Sequence, residues 1–368
     1  MALDLITDNW ILQSVGSMLS KGLSPNRLKT LQIDGKRSHS FIEVPYAAVQ
    51  IESLFTLLTN IVLRDRMLVD NRYMHIWEDD SHHFLPLLNQ GHLGWQDFMP
   101  RSKEMTAPRH MMIQRLCPTP DLKKLYEQNQ DTLERTGEYE NDLLSSLIWG
   151  TAAMLSRSHV YEAPYSPHPL RQLVIEQTIG AGHVRDITSE VMEDLQDKRL
   201  RYYAAGRGTT KMQRASIVLP PISVDVIENS TSREDLLQRA IGFRTWHADK
   251  RTWLGMIEAN MAEGHQATKE LKQALEATES VVLQTMGKGP KTSMSLNVDL
   301  SLTGIGFKLN VPTMGGLPKP FRTHTMLTNM VFTKQGEDTL DKLLGMFEEK
   351  HTIIGESVRE HFRNKYVS

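Results

Sequence analysis

Apolar residues recur at helical spacing along most of this chain. Trp10, Ile11, Val15 and Leu19 predict a short first helix that stops at Gly22. Residues 23–43 are polar and read as a connector, with weak strand character at Phe41–Val44. From Pro45 onward Ala47, Ala48, Ile51, Leu54, Phe55, Leu58 and Val62 form one broad apolar stripe, the pattern of a packed amphipathic helix. The run Ile61–Val69 reads as a continuation of it, with a short hairpin as the alternative. Residues 71–118, broken by Pro86, Gly91, Gly94, Pro100 and Pro108, predict several short helices joined by turns. A charged stretch from Asp121 and the apolar LLSSLIWGTAAML behind it predict two helices meeting near Gly137. The apolar block is too short to cross a membrane and reads as a core helix.

Three prolines between Tyr161 and Pro169 mark a loop, which divides the chain into expected helical subdomains at 1–160 and 169–368. Beyond it, 169–178, 186–205, 232–253, 266–285 and 337–366 read as helical, the last weakened by Gly345 and Gly355. Thr231-Ser-Arg-Glu234 has the form of a capping box. Adjacent Pro220 and Pro221 forbid a central strand, so Ile217–Ile227 is expected to be extended.

One segment has a period of two. In residues 293–312 apolar side chains alternate, and their parity flips at Thr303-Gly304. A hairpin turning there places Leu296, Val298, Leu300, Leu302, Ile305, Phe307, Leu309 and Val311 on one face. It sets Asp299 opposite Lys308 on the other. An isolated hairpin is marginal, so this face needs a cover: the flanking helices, a second copy of the chain, or lipid. The fold expected is therefore mainly α, a multi-helix, bundle-like protein with a small β-hairpin near residues 293–312.

Composition narrows the function by exclusion. Lys and Arg total 42 against 44 Asp and Glu, and a net charge of −2 gives no global field for nucleic acid or anionic membrane. A single cysteine, Cys117, excludes an internal disulfide and a multi-cysteine zinc site; it reads as a buried structural thiol. Asp4 and Asp8 stand where a secretory signal would carry basic residues, so a cytoplasmic protein without a transmembrane helix is expected.

Candidate chemistry is sparse. His75, Asp79 and His83 would share one face of a helix at successive i, i+4 steps, a spacing at which nitrogen and oxygen ligands could meet a metal. Against this, HExxH is absent, and Glu348/His351 lacks the second ExxH pair that a di-iron site requires. Neither 206–211 nor 287–293 fits a phosphate loop. The basic stretch 198–214, with Tyr202 and Tyr203, reads as a solvated helix face. No cofactor is expected. These patterns favour an interaction or assembly protein whose partner is protein, its own copies or another chain. An enzyme with a cryptic His/carboxylate site and a membrane-acting protein using the 293–312 hairpin are the alternatives.

Overall fold

The computed structural model describes residues 4–34, 38–180, 218–219, 221–248, 251 and 334–364. Helices dominate, as the periodicities predict, but a parallel sheet organises them. Its strands are β1 (Asp4–Thr7), β4 (Arg66–Asp70), β5 (Leu93–Gln96) and β6 (Tyr165–Ser166), in the order β5-β4-β1-β6. All three pairings are parallel, with Ile6 opposite Leu68 on one side and Tyr165 on the other.

The chain leaves β1 into α1 (Asn9–Lys21), forms the antiparallel hairpin β2 (Arg27–Asp34) and β3 (Ser38–Pro45), and returns through α2 (Tyr46–Leu63) to β4. Two 3-10 turns (Asn71–Ile76 and Glu78–Phe84) and α3 (Leu85–Asn89) lead to β5. Then α4 (Thr106–Leu116), α5 (Pro120–Thr136), α6 (Asp142–Leu144), a π-helical turn (Ser145–Trp149) and α7 (Gly150–Tyr161) carry it to β6, on the far side of β1. α8 (Pro169–Ile175) comes next. The described remainder is a two-stranded pair, β7 (Val218–Leu219) with β8 (Lys334–Gln335), and the helices α9 (Pro221–Asn229), α10 (Asp235–Trp246), α11 (Glu337–Met346) and α12 (Ile353–Asn364).

Strand alternation divides the core in two. Leu5, Met67, Val69 and Leu93 turn one way, into a cluster with α1, α2 and α9–α12. Ile6 and Tyr165 turn the other way, onto α4, α5, α7 and α8. The first cluster joins residues from Leu5 to Phe362, across the expected 161–168 division, and residues 165–166 of that segment are a strand of the sheet. The chain moves outward from β1 to β4 and β5, then reverses to β6. The crevice between β1 and β6 is thus the topological switch point, the place where open α/β sheets hold ligands.

Several local expectations need correction. The run 61–69 does not continue the helix: α2 ends at Leu63, Arg64 is extended, and β4 begins at Arg66. The connector 23–43 is largely a hairpin, with Leu31 opposite Phe41. Pro221 opens α9, where its missing amide hydrogen costs nothing, instead of marking an extended crossing. The capping box at 231–234 does not form. The Asp235 carboxylate reaches back to the Thr231 amide at 3.1 Å, and Glu234 makes no side-chain cap. Among the described residues α2 alone is long and apolar enough to cross a membrane by length and composition, and 72% of it is buried within the protein.

Candidate functional site

Both central strands run into the same dipeptide, Asp8-Asn9 directly after β1 and Asp70-Asn71 at the last residue of β4. The aspartate is in each case the residue that starts the next helical turn. Its Oδ1 accepts the amide two residues on, from Trp10 and from Arg72, both at 3.1 Å. The two carboxylates thus lie side by side at the carboxyl edge of the sheet, buried at 1% and 0% exposure. Ionised carboxylates in such positions require cations.

At β1 the cation is Arg171 of α8, whose Nη1 donates to Asp8 Oδ2 at 2.8 Å. The Tyr165 hydroxyl donates to the same oxygen at 2.6 Å, and the His168 amide at 3.4 Å. Burial pushes the Asp8 carboxyl up, but Arg171, His168, the Tyr165 hydroxyl and the Trp10 amide outweigh it and hold the group below its ordinary range. Burial and the neighbouring Asp8 push the Tyr165 hydroxyl well above its ordinary value, so it stays a donor.

The Arg171 guanidinium lies 4.0 Å over the Trp10 ring. Its other side faces Gly150, where a Cβ would come within 2.6 Å of Nη2. Glycine at the first residue of α7, directly after the π-helical turn, therefore provides the space for the cation. Arg171 Nε is buried with no hydrogen-bond partner among the described residues.

His168 completes this end. It caps α8, its Nδ1 accepting the Leu170 amide at 3.4 Å, so the neutral ring carries its proton on Nε2 and donates to Ser14 Oγ at 3.1 Å. Trp10 meets the ring edge-on at 5.5 Å. Burial, set against the attraction of Asp8, pulls the imidazole down to about 4. Serine, histidine and aspartate thus meet without forming a catalytic triad. Asp8 touches the His168 backbone, not Nδ1, and Ser14 is 2% exposed, out of reach of a substrate.

At β4 the pairing is shared. Arg72 grips Asp70 through Nε and Nη2 at 3.2 and 2.8 Å, and Arg157 of α7 adds Nη2 at 2.6 Å. Arg157 is buried, with Phe98 5.2 Å and Tyr73 5.8 Å from its guanidinium carbon. Asn9 links the two ends: its Oδ1 accepts the indole N–H of buried Trp77 at 2.9 Å, and Trp77 stacks on half-exposed Trp95 at 5.2 Å.

The residues singled out in the sequence lie elsewhere. His75 and Asp79 are exposed on separate 3-10 turns, and the i, i+4 face expected of a single α-helix does not form. His75 Nδ1 meets the Arg72 carbonyl of its own turn, and His83 Nε2 meets Ser20 Oγ at 2.9 Å. Among the described residues no three His, Cys, Asp or Glu side chains are placed to hold a metal ion.

Ser20 donates to Asp80 Oδ1 at 2.6 Å, so it receives the His83 proton instead of giving its own. That wiring pins the 78–84 turn to α1 and leaves no activated nucleophile. Cys117 is buried, and its thiol is pushed up to about 12 by burial. The apolar set Leu296–Val311 lies outside the described residues. Periodicity and motif spacing miss the strand-end aspartates. An apolar run ended by Asp-Asn nevertheless occurs twice, at Leu5–Asn9 and Leu68–Asn71, and is the signal that could have found them. Set against family models, curated proteins and solved structures, this chain matches none.

Proposed function

We propose that this chain is an interaction and assembly protein, binding protein partners, its own copies first, and not working through chemistry at the carboxyl edge of its sheet. One observation carries the reading. The ionisable groups at the position where α/β proteins place reactive residues are already consumed by one another: Asp8 by Arg171, Tyr165 and two amides, Asp70 by Arg72 and Arg157. Both oxygens of Asp70 accept two N–H groups each, which leaves no lone pair for a metal. Asp8, held below its ordinary range by Arg171 and its other donors, lacks the raised proton affinity a general base needs.

Beside polar and charged side chains such as Arg72, His75 and Asp79, the segments after β4 and β5 also turn large apolar ones outward. Of the five exposed large apolar side chains among the described residues, three, Leu85, Trp95 and Met99, fall within the 85–99 stretch around β5. Trp95 stacks on Trp77, Leu85 follows Phe84, whose ring meets Trp77 edge-on, and Met99 lies against Arg72. Tryptophan, methionine and arginine are the residues enriched where proteins bind proteins. The alternation at 293–312, outside the described residues, would as a hairpin give the same protein a second apolar face to cover.

Solution mass tests the reading. The 42.0 kDa chain should sediment above its monomer mass in the micromolar range. Replacing Trp95 and Met99 with serine should return it to the monomer while most of the melting temperature is kept. A wild-type chain that is monomeric throughout that range contradicts the proposal.

A further inference from the structure

His168 is a buried imidazole with both ring nitrogens engaged, at a point where five elements meet. Nδ1 holds the first free amide of its own helix α8, and Nε2 faces Ser14 of α1. The groups around it come from every neighbour: Asp8 after β1, Trp10 and Ser14 of α1, Glu52 and Tyr46 of α2, Tyr165 of β6, and Arg171 of α8. Asp8 and Glu52 favour a second proton on the ring; burial and the fixed charge of Arg171 oppose it. A proton placed on Nδ1 turns the acceptor of the Leu170 amide into a donor. Two N–H groups then face each other in a site closed to water, and the α8 cap is lost.

β6 is the weak edge of the sheet, two residues paired to β1 at Ile6 and Thr7 alone. Tyr165, His168 and Arg171, the three groups that close the β1 end, all belong to this one stretch. They hold together or leave together.

We propose that β6 and α8 form an acid-released latch: protonation of the His168 ring detaches Tyr165–Ile175 from β1 and α1, while β4 and β5 keep their places. Linkage sets the sign. In the closed state the ring titrates at about 4, and once detached and solvated it titrates near the ordinary 6.5. The detached form therefore binds more protons, and closure weakens as pH falls from 6.5 toward 4. At pH 4.5 that gap favours opening by roughly 70-fold over pH 7.5. Asp8, held low, does not titrate in this window.

Amide hydrogen exchange, corrected for intrinsic rates, reads the latch directly. Between pH 7.5 and 4.5, protection of residues 165–175 should fall by tens-fold while that of residues 67–70 in β4 is unchanged. Asparagine can cap a helix but cannot take the proton, so His168→Asn should abolish the pH dependence whatever its basal protection. The His168 ring of the unmodified protein, followed by NMR, should titrate near 4. The proposal is overturned by protection at 165–175 that ignores pH, by an equal loss across the sheet, by a His168→Asn variant with the wild-type slope, or by a ring that titrates near 6.5.

Discussion

At the end of β1 a single arginine neutralises Asp8 in a place closed to water; at the end of β4 two arginines share Asp70, and the side chain of one, Arg72, is 40% exposed. The strands begin from the same local chemistry, an apolar run stopped by Asp-Asn with the carboxylate capping the next helical turn. They differ in where the countercharge comes from. Asp70 is paired partly from its own next turn, by Arg72, and partly from α7. Asp8 depends wholly on α8, which starts more than 150 residues later in the chain. The β4 end is redundant and locally built. The β1 end is closed only when a distant segment docks, which is why its failure should be larger and why it can be tied to a single titrating group.

Removing one arginine from each end separates the two most strongly. Arg171→Met leaves Asp8 charged and buried, and a stranded charge of this kind costs about 3–5 kcal/mol. Arg72→Met leaves Asp70 with Arg157, and the loss of one half-exposed partner should stay within about 1 kcal/mol. Urea unfolding of the two variants gives both numbers. Equal losses would mean that the two ends are not built differently.

Gly150 bears on the same difference with a smaller effect. Alanine in a helix normally gains roughly 1 kcal/mol over glycine. Here its Cβ meets Nη2 of a guanidinium pinned by Asp8, Tyr165 and Trp10, and crowding of that kind costs about 1–3 kcal/mol. Gly150→Ala should therefore destabilise the protein by about 1 kcal/mol on balance. In the Arg171→Met background, with no guanidinium to displace, the same change should be neutral or stabilising.

How much of this can be read from the sequence depends on the range of the interactions. α1 and α5 are legible to their ends, which fall at Gly22 (φ +83°) and Gly137 (φ +78°), and α2 is legible by its apolar stripe but not by its end at Leu63. The break between α11 and α12, at 347–352, is not legible: Gly345 and Gly355, the weak points of the expected 337–366 helix, both lie inside helices. Nor is the parallel sheet. Its strands have two to five residues, and strands buried on both faces lack alternation, so β1 reads as the start of a helix and β4 as the end of one. The β2–β3 hairpin is obscured because its apolar positions change parity between Leu28 and Leu31. The site is hidden for a different reason. Asp8, Gly150, Tyr165, His168 and Arg171 are ordinary residues in local context, and only the return of the chain to the far side of β1 gathers them.

Asp8 and Arg171 form one structural unit, in which each charge is tolerable only because the other is present. A double-mutant cycle with Asp8→Asn and Arg171→Met, read by urea unfolding at pH 7.5, measures this. Each single change should cost far more than its share, so that the two are coupled by about 2–3 kcal/mol. A coupling below about 0.5 kcal/mol, the level of distant and independent sites, would contradict it.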